Sequence, residues 1–110
     1  MENCVKDLNA MYELKYSRAA MLDVKAIFSY IAADSREAAS GYLQRLESQF
    51  LKLREFPRLG HESLYPELAA LNIRILPFQK YLIFYTVNDA EQTVLIYRVL
   101  HSSRNYRNIF

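Results

Sequence analysis

The chain has 110 residues, of which 52% are hydrophobic and 24% are charged, and its formal net charge is +2. This length suits one domain with a single modest core, and the composition excludes a disordered or fibrous protein. Cys4 is the single cysteine, which excludes an intrachain disulfide.

The first ten residues, MENCVKDLNA, lack the apolar segment of a secretory signal peptide. The longest apolar run, YLIFYTV at 81–87, is far shorter than the roughly 20 residues that a transmembrane helix needs. We therefore expect a protein of the cytoplasm with no membrane segment.

Residues 12–17, YELKYS, alternate in the manner of a short strand, and Ser17 can then cap a helix that runs to about Ala33. Within that helix one apolar stripe recurs at spacings of four, three and four, formed by Ala20, Val24, Ile27 and Ile31. This stripe is predicted to face the core.

A second helix is predicted to open at Asp34, with Glu37 as the other half of a capping pair, and to end at Pro57. Its apolar positions repeat with the same helical spacing at Ala39, Leu43, Leu46, Phe50 and Leu53. Because only a few residues join the helices, they should form an antiparallel hairpin.

The C-terminal half favours strands. Residues 58–71 have no clear period and predict a loop with at most one helical turn, and 72–76, 80–87 and 93–100 then have the composition of strands. The intervening PFQ and NDAEQ segments predict turns of an antiparallel meander. The expected fold is α+β, in the order β-α-α-β-β-β, with the helical hairpin packed on one face of a mainly antiparallel sheet.

Side-chain alternation assigns each strand residue to a face of that sheet. It places Arg74 opposite Ile73 and Ile75, and it places Arg98 on the same face as Val94 and Ile96. We expect both arginines on the face away from the helices. This face is also apolar, so it should be covered by the C-terminal tail or by a partner.

Positive charge is concentrated at the end of the chain, where residues 98–110 contain Arg98, Arg104 and Arg107 and no acidic residue. A local basic patch attracts phosphates or an acidic partner. The alternative is a solvated tail whose charge only aids solubility. In the first interpretation Arg104 and Arg107 contact the target, while Tyr106, Ile109 and Phe110 anchor the tail on the apolar sheet face.

Several motifs together resemble a known family. These are Ala20 to Asp23 and the Tyr30-Ile31 pair of the first helix, FPRLG at 56–60, and the strand sequences RILPFQKYLIFYTV and IYRVLHSSRNY. In this order they resemble the RelE/ParE toxins of bacterial type II toxin-antitoxin systems. The resemblance covers residues 11–110 as one toxin domain and leaves 1–10 as an N-terminal extension.

The resemblance implies one of two activities, because RelE-like members cleave mRNA on the ribosome and ParE-like members poison DNA gyrase. RNA cleavage without a metal needs a proton acceptor, cations at the phosphate and a proton donor. The candidate residues for activity or target contact are Arg74 and Arg98 as phosphate clamps, His101 as proton shuttle, Tyr106 as a base-stacking ring, and Arg104.

Structural roles are open for two of these residues. His101 can be a strand-end residue whose ring bonds a backbone carbonyl, and Arg74 can form an ion pair with an acidic residue such as Glu67. The chain is nearly neutral outside its tail, and Val99 to Arg104 is similar to the ParE branch, so gyrase poisoning is slightly favoured. A ribosome-dependent, metal-independent mRNA endoribonuclease and a non-toxic binding module that keeps the fold are the alternatives.

Other site chemistries do not fit the spacing. HESLY at 61–65 starts like a zinc-binding helix, but Tyr65 stands where the second histidine is required, and the two glycines form no phosphate-binding loop. No cofactor or metal is expected. The expected partner is a cognate acidic antitoxin, bound in a toxin-antitoxin hetero-oligomer, with gyrase or the ribosome and its mRNA as the target.

Overall fold

The computed structural model describes residues 11–110. Cys4 and the predicted N-terminal extension at 1–10 lie outside the described residues. The elements in chain order are β1 (Glu13–Tyr16), α1 (Arg18–Ala32), α2 (Arg36–Glu55), β2 (His61–Glu62), α3 (Pro66–Ala69), β3 (Arg74–Phe78), β4 (Tyr81–Asn88) and β5 (Thr93–His101), then a 3-10 turn at Tyr106–Asn108. The predicted α+β class and element order are confirmed. The segment predicted as a loop with at most one helical turn contains that turn as α3 and, in addition, the two-residue strand β2.

The strands form one five-stranded sheet in the order β1-β5-β4-β3-β2. β1 runs parallel to β5, and the other neighbours are antiparallel. Beyond Tyr16 the chain leaves the sheet and starts α1, so the second half of β5 pairs with β4 on one side and has an open edge on the side of β1. Among residues 11–110, no helix is long and apolar enough to cross a membrane.

The two long helices begin at serine caps. Ser17 Oγ accepts the Ala20 N–H at 2.9 Å, as predicted for α1. The predicted cap of α2 was wrong by one residue, because Ser35 rather than Asp34 accepts the Ala38 N–H. The N–H groups of Asp34 and Ser35 both still bond Ile31 O, so the last turn of α1 continues through Asp34.

The first strand of the meander is shifted from its predicted range of 72–76. Asn72 has φ of 61°, a left-handed conformation that a strand cannot contain. Pro77 pairs with Leu82 inside β3, although it was assigned to a turn. A proline is tolerated there because β2 pairs only with Arg74 and Ile75, which leaves Pro77 at an open edge.

The helical hairpin covers one sheet face, called here the helical face. Its core joins Leu46, Phe50 and Leu53 of α2 and Ala20 and Ile27 of α1 to the strand residues Leu76, Ile83, Tyr85, Val94, Ile96 and Val99. The opposite face, called the tail face, has a second core of Leu68, Ile73, Ile75, Phe84 and Leu100. Tyr65, Tyr106, Ile109 and Phe110 pack against this second core. The prediction that the tail anchors on the apolar sheet face is confirmed.

A β-bulge in β5 changes the predicted faces. Phe84 pairs with Arg98 and the next residue, Tyr85, pairs with Ile96, which leaves Tyr97 as an extra residue in β5. The alternation therefore resets, and Arg98 shares the tail face with Phe84 while Val94 and Ile96 share the helical face. Placing these three residues on one face was wrong.

Arg74 was also assigned to the wrong face. Its direct cross-strand partner is Tyr85, whose side chain belongs to the helical core, so Arg74 lies on the helical face. Arg74 and Arg98 consequently point to opposite sides of the sheet.

Candidate functional site

Arg98 is bound to an acidic residue of α1. Its Nε and Nη2 donate to the two carboxylate oxygens of Asp23 at 2.7 and 2.9 Å. Asp23 Oδ2 also accepts the N–H of Val99 at 3.0 Å. One carboxylate thus accepts a free N–H of the open edge of β5 and also neutralises the neighbouring guanidinium. The hydrogen bonds from Arg98 to Asp23 raise the pKa of Arg98.

Arg74 binds backbone carbonyls. Its Nη2 donates to Gly60 O at 2.6 Å and to Arg58 O at 3.3 Å, and its Nη1 lies 3.7 Å from the Glu62 carboxylate. An ion pair of Arg74 with an acidic residue was the predicted structural role, and its acidic partner is Glu62 rather than the Glu67 named as an example. The Nε of Arg74 is buried and has no hydrogen-bond partner among residues 11–110.

Gly60 fixes the loop that Arg74 binds. Its N–H donates to the Tyr85 hydroxyl at 2.8 Å, and a Cβ at this position would lie 2.6 Å from Ile75 O. Only glycine permits this approach. Burial raises the pKa of Tyr85, whose hydroxyl therefore stays protonated as a hydrogen-bonding group. Arg74 is thus part of the attachment between this loop and the sheet.

The tail is held by one ion pair and several rings. Arg107 binds Glu67 at 2.7 and 2.9 Å, and its guanidinium lies 4.1 Å from the centre of the Tyr65 ring. Tyr106 packs with its ring centre 4.9 Å from that of Phe84, and burial raises the pKa of Tyr106. In this position the Tyr106 ring is a packing group of the tail face.

His101 and Arg104 lie where β5 ends. The Nδ1 of His101 accepts the Ser103 N–H at 3.2 Å and lies 2.8 Å from Ser103 Oγ, so the structural role predicted for His101 named the wrong backbone partner. This contact leaves the proton of the neutral ring on Nε2. Arg104 is exposed and forms no salt bridge with any residue in the described range 11–110.

The five predicted site residues therefore do not meet at one point. Arg74 lies on the helical face, Arg98 and Tyr106 lie on the tail face, and His101 and Arg104 lie at the end of β5. Acidic partners neutralise Arg98 and Arg107, so much of the predicted basic patch is cancelled within the fold.

Sequence reasoning missed an apolar groove of about 480 Å³ between α1, α2 and the end of β1. It is lined by Tyr16, Met21, Val24, Lys25, Phe28, Leu43, Glu47 and Phe50. Met21 is 62% exposed there. The available signal was the spacing of Met21 and Phe28, which are seven residues apart and lie beside the predicted stripe of α1. Within the described part of the chain, no cluster of His, Cys, Asp and Glu could hold a metal.

The sequence matches a known protein family. Residues 14–106 match the sequence profile of the ParE toxin of the type II toxin-antitoxin system parDE. No protein of curated function matches the chain in sequence.

Solved structures share the architecture. The chromosomal ParDE system from P. aeruginosa gives a TM-score of 0.66 at 23% identity, covering 84% of this chain and 97% of that one. The RelBE2 toxin-antitoxin complex from Mycobacterium tuberculosis gives 0.60 at 20% identity, covering 83% and 98%. The intact E. coli RelBE complex gives 0.58 at 18% identity, covering 84% and 99%. At these identities the likeness shows the fold.

Proposed function

We propose that this chain, which belongs to the ParE toxin family of type II toxin-antitoxin systems, inhibits growth by poisoning DNA gyrase. The observation that carries the proposal is the profile match over residues 14–106, nearly the whole described domain. Gyrase acts in the cytoplasm, and we propose the same compartment for this protein.

The contacts of Arg74 and Arg98 support DNA gyrase rather than RNA as the target. Cleavage of RNA without a metal needs cations that are free to bind the scissile phosphate. Arg98 is bound to Asp23, and Arg74 is bound to two carbonyls. A RelE-like mRNA endoribonuclease is the second candidate, supported by the similarity of the fold to the RelBE structures.

For contact with the target we propose Arg104 and His101, both exposed at the end of β5. Arg74, Arg98 and Tyr106 would act indirectly, by holding the loop at 58–60, the edge of β5 and the tail in place. This division follows from the internal hydrogen bonds of Arg74 and Arg98 and from the packing of the Tyr106 ring on Phe84.

Purified protein is expected to block gyrase supercoiling or to trap cleaved DNA in vitro, and to leave translated mRNA intact. Gel assays of plasmid topology and primer extension on a translated message measure the two outcomes. The Arg104→Ala variant should lose most of the gyrase effect, because its cation is exposed and has no salt bridge within residues 11–110. Cuts at codon positions in the message, absent in His101→Ala, would instead establish the nuclease. Inactivity in both assays and in growth would favour the non-toxic binding module.

We further propose that an antitoxin helix binds the apolar groove between α1 and α2, forming a hetero-oligomer. The solved relatives are toxin-antitoxin complexes, which supports a partner of this kind. The groove suits an amphipathic helix because its lining is mostly apolar, with Lys25 and Glu47 as its charged members. An acidic residue beside the apolar stripe of that helix could pair with Lys25.

The Met21→Glu variant is expected to weaken antitoxin binding by at least about tenfold, because it places a charge in a contact that excludes water. Titration calorimetry with the product of the adjacent reading frame measures the loss. Leu51→Glu is the matched control, since Leu51 is 54% exposed on α2 and does not line the groove. Equal affinities of the two variants would place the antitoxin elsewhere.

A further inference from the structure

We propose that a cluster of aromatic rings at one end of the sheet binds single-stranded nucleic acid by stacking on its bases. This aromatic platform lies where the end of α1 meets the turn between β3 and β4. It consists of Tyr30, Tyr42, Phe78, Tyr81 and His101. It goes beyond the proposed action on gyrase and does not depend on it, although His101 and the nearby Arg104 belong to both surfaces.

Four of the rings, those of Tyr42, Phe78, Tyr81 and His101, form a continuous set. The ring centre of Tyr42 lies 5.5 Å from that of Phe78 and 6.1 Å from that of Tyr81. The Tyr81 and His101 centres are 5.4 Å apart at an angle of 78°. Tyr30 stands near the end of α1 next to Ile31, and Ile31 lines a cavity between the two helices together with Tyr42. Tyr30 is therefore at the same end of the helical hairpin as these rings.

The outer members of the platform are open to solvent. Tyr30 is 80% exposed, the most exposed aromatic side chain among the described residues, and His101 is also exposed. Tyr42, Phe78 and Tyr81 are half-buried and pack against the core of the helical face. A base can therefore stack on Tyr30 without displacing any core residue.

Three cations surround these rings. The Arg45 guanidinium lies 5.7 Å from the centre of the Tyr42 ring, Lys80 occupies the turn beside Tyr81, and Arg104 follows His101. The Lys80 carbonyl accepts the Ser102 N–H at 2.8 Å, which ties this turn to the end of β5. Within residues 11–110 none of the three forms a salt bridge, in contrast to Arg98 and Arg107.

This combination favours a nucleic acid over a protein partner. Each nucleotide brings a flat base and a phosphate together, so one strand can use the rings and the cations at once. A protein would have to supply acidic groups at three separate positions around an aromatic patch. Base stacking does not discriminate strongly among sequences, so the expected binding has little sequence preference.

Binding is tested with the full chain alone, without gyrase or antitoxin. Fluorescein-labelled oligothymidylate and oligouridylate of about 12 nucleotides, titrated at low salt, report affinity by anisotropy and separate DNA from RNA as the ligand. Tyr30→Ala is expected to weaken binding by at least about fivefold, the loss of one stacked base. Phe56→Ala is the matched control, because Phe56 is 60% exposed and lies outside the platform, and its affinity should equal the wild type.

Charge variants test the phosphate contacts. Lys80→Gln and Arg45→Gln should each reduce the slope of log affinity against log salt by about 0.7, the value for one phosphate of a single strand. Lys52→Gln, exposed elsewhere on α2, should leave the slope unchanged. Absence of oligonucleotide binding by the wild type, or equal binding by Tyr30→Ala, would overturn the proposal. Loss of antitoxin or gyrase binding in Tyr30→Ala without oligonucleotide binding would assign the platform to a protein instead.

Discussion

Replacing Asp23 with alanine is expected to lower the free energy of unfolding by about 3 to 5 kcal/mol, the usual range for breaking a buried charge pair. The side chains of Arg98 and Asp23 are only 21% and 13% exposed, so water cannot fully replace the lost contact. The variant also removes the acceptor of the Val99 N–H. Both effects act where α1 covers the open edge of β5, so the helical hairpin should loosen from the sheet.

Urea denaturation followed by circular dichroism measures this loss. The Asp23→Asn variant should lose less of its free energy of unfolding, because its amide oxygen can still accept the Val99 N–H. Asp34→Ala serves as the control, since Asp34 is exposed and forms no salt bridge within the described range 11–110. A change below about 0.5 kcal/mol in Asp23→Ala, the range of ordinary surface substitutions, would show that the ion pair with Arg98 does not fasten α1 to the sheet.

A second large loss of stability is expected when the aromatic residues of the tail are replaced. Replacing both Tyr106 and Phe110 with alanine should lower the free energy of unfolding by about 4 kcal/mol, roughly half the cost of truncating two fully buried aromatic residues. Both rings are half-buried, and their centres lie 4.9 and 5.0 Å from that of Phe84. The double variant removes both of these ring contacts from Phe84.

Growth inhibition and urea unfolding should be measured together for this double variant. The matched control is Arg104→Ala, which removes an exposed side chain of the same segment and should leave the stability unchanged. Loss of toxicity with full stability in Arg104→Ala would assign target contact to this cation. Unchanged stability in the aromatic double variant would show that the tail is a solvated end rather than part of the second core.

The ion pairs of Arg98 and Arg107 give the basic C-terminal segment a structural role. Arg98 fastens α1 to the sheet, and Arg107 fastens the tail to α3 through Glu67. The tail itself occupies the apolar sheet face that would otherwise be open to a partner. Two other surfaces of the chain offer apolar or aromatic side chains to a partner. These are the groove between α1 and α2 and the aromatic platform.

The sequence by itself determined the helices, the strands and the family. Each long helix follows a local apolar period, so the stripe from Ala20 to Ile31 and the cap at Ser17 could be predicted from neighbouring residues. The order of weak motifs over almost the whole chain indicated the toxin family, which the profile match confirms.

Only the tertiary structure decided the faces of the sheet and the partners of the arginines. The extra residue at Tyr97 becomes a bulge only when β5 pairs with β4, and it reverses the alternation that a single strand predicts. Arg98 and Asp23 are 75 positions apart, and Arg107 and Glu67 are 40 apart. Local patterns carry no information about such pairs, because the packing of α1 and α3 against distant strands brings them together. The groove between α1 and α2 also depends on tertiary packing. Its lining residues Tyr16, Met21 and Leu43 become neighbours only when β1, α1 and α2 pack against each other.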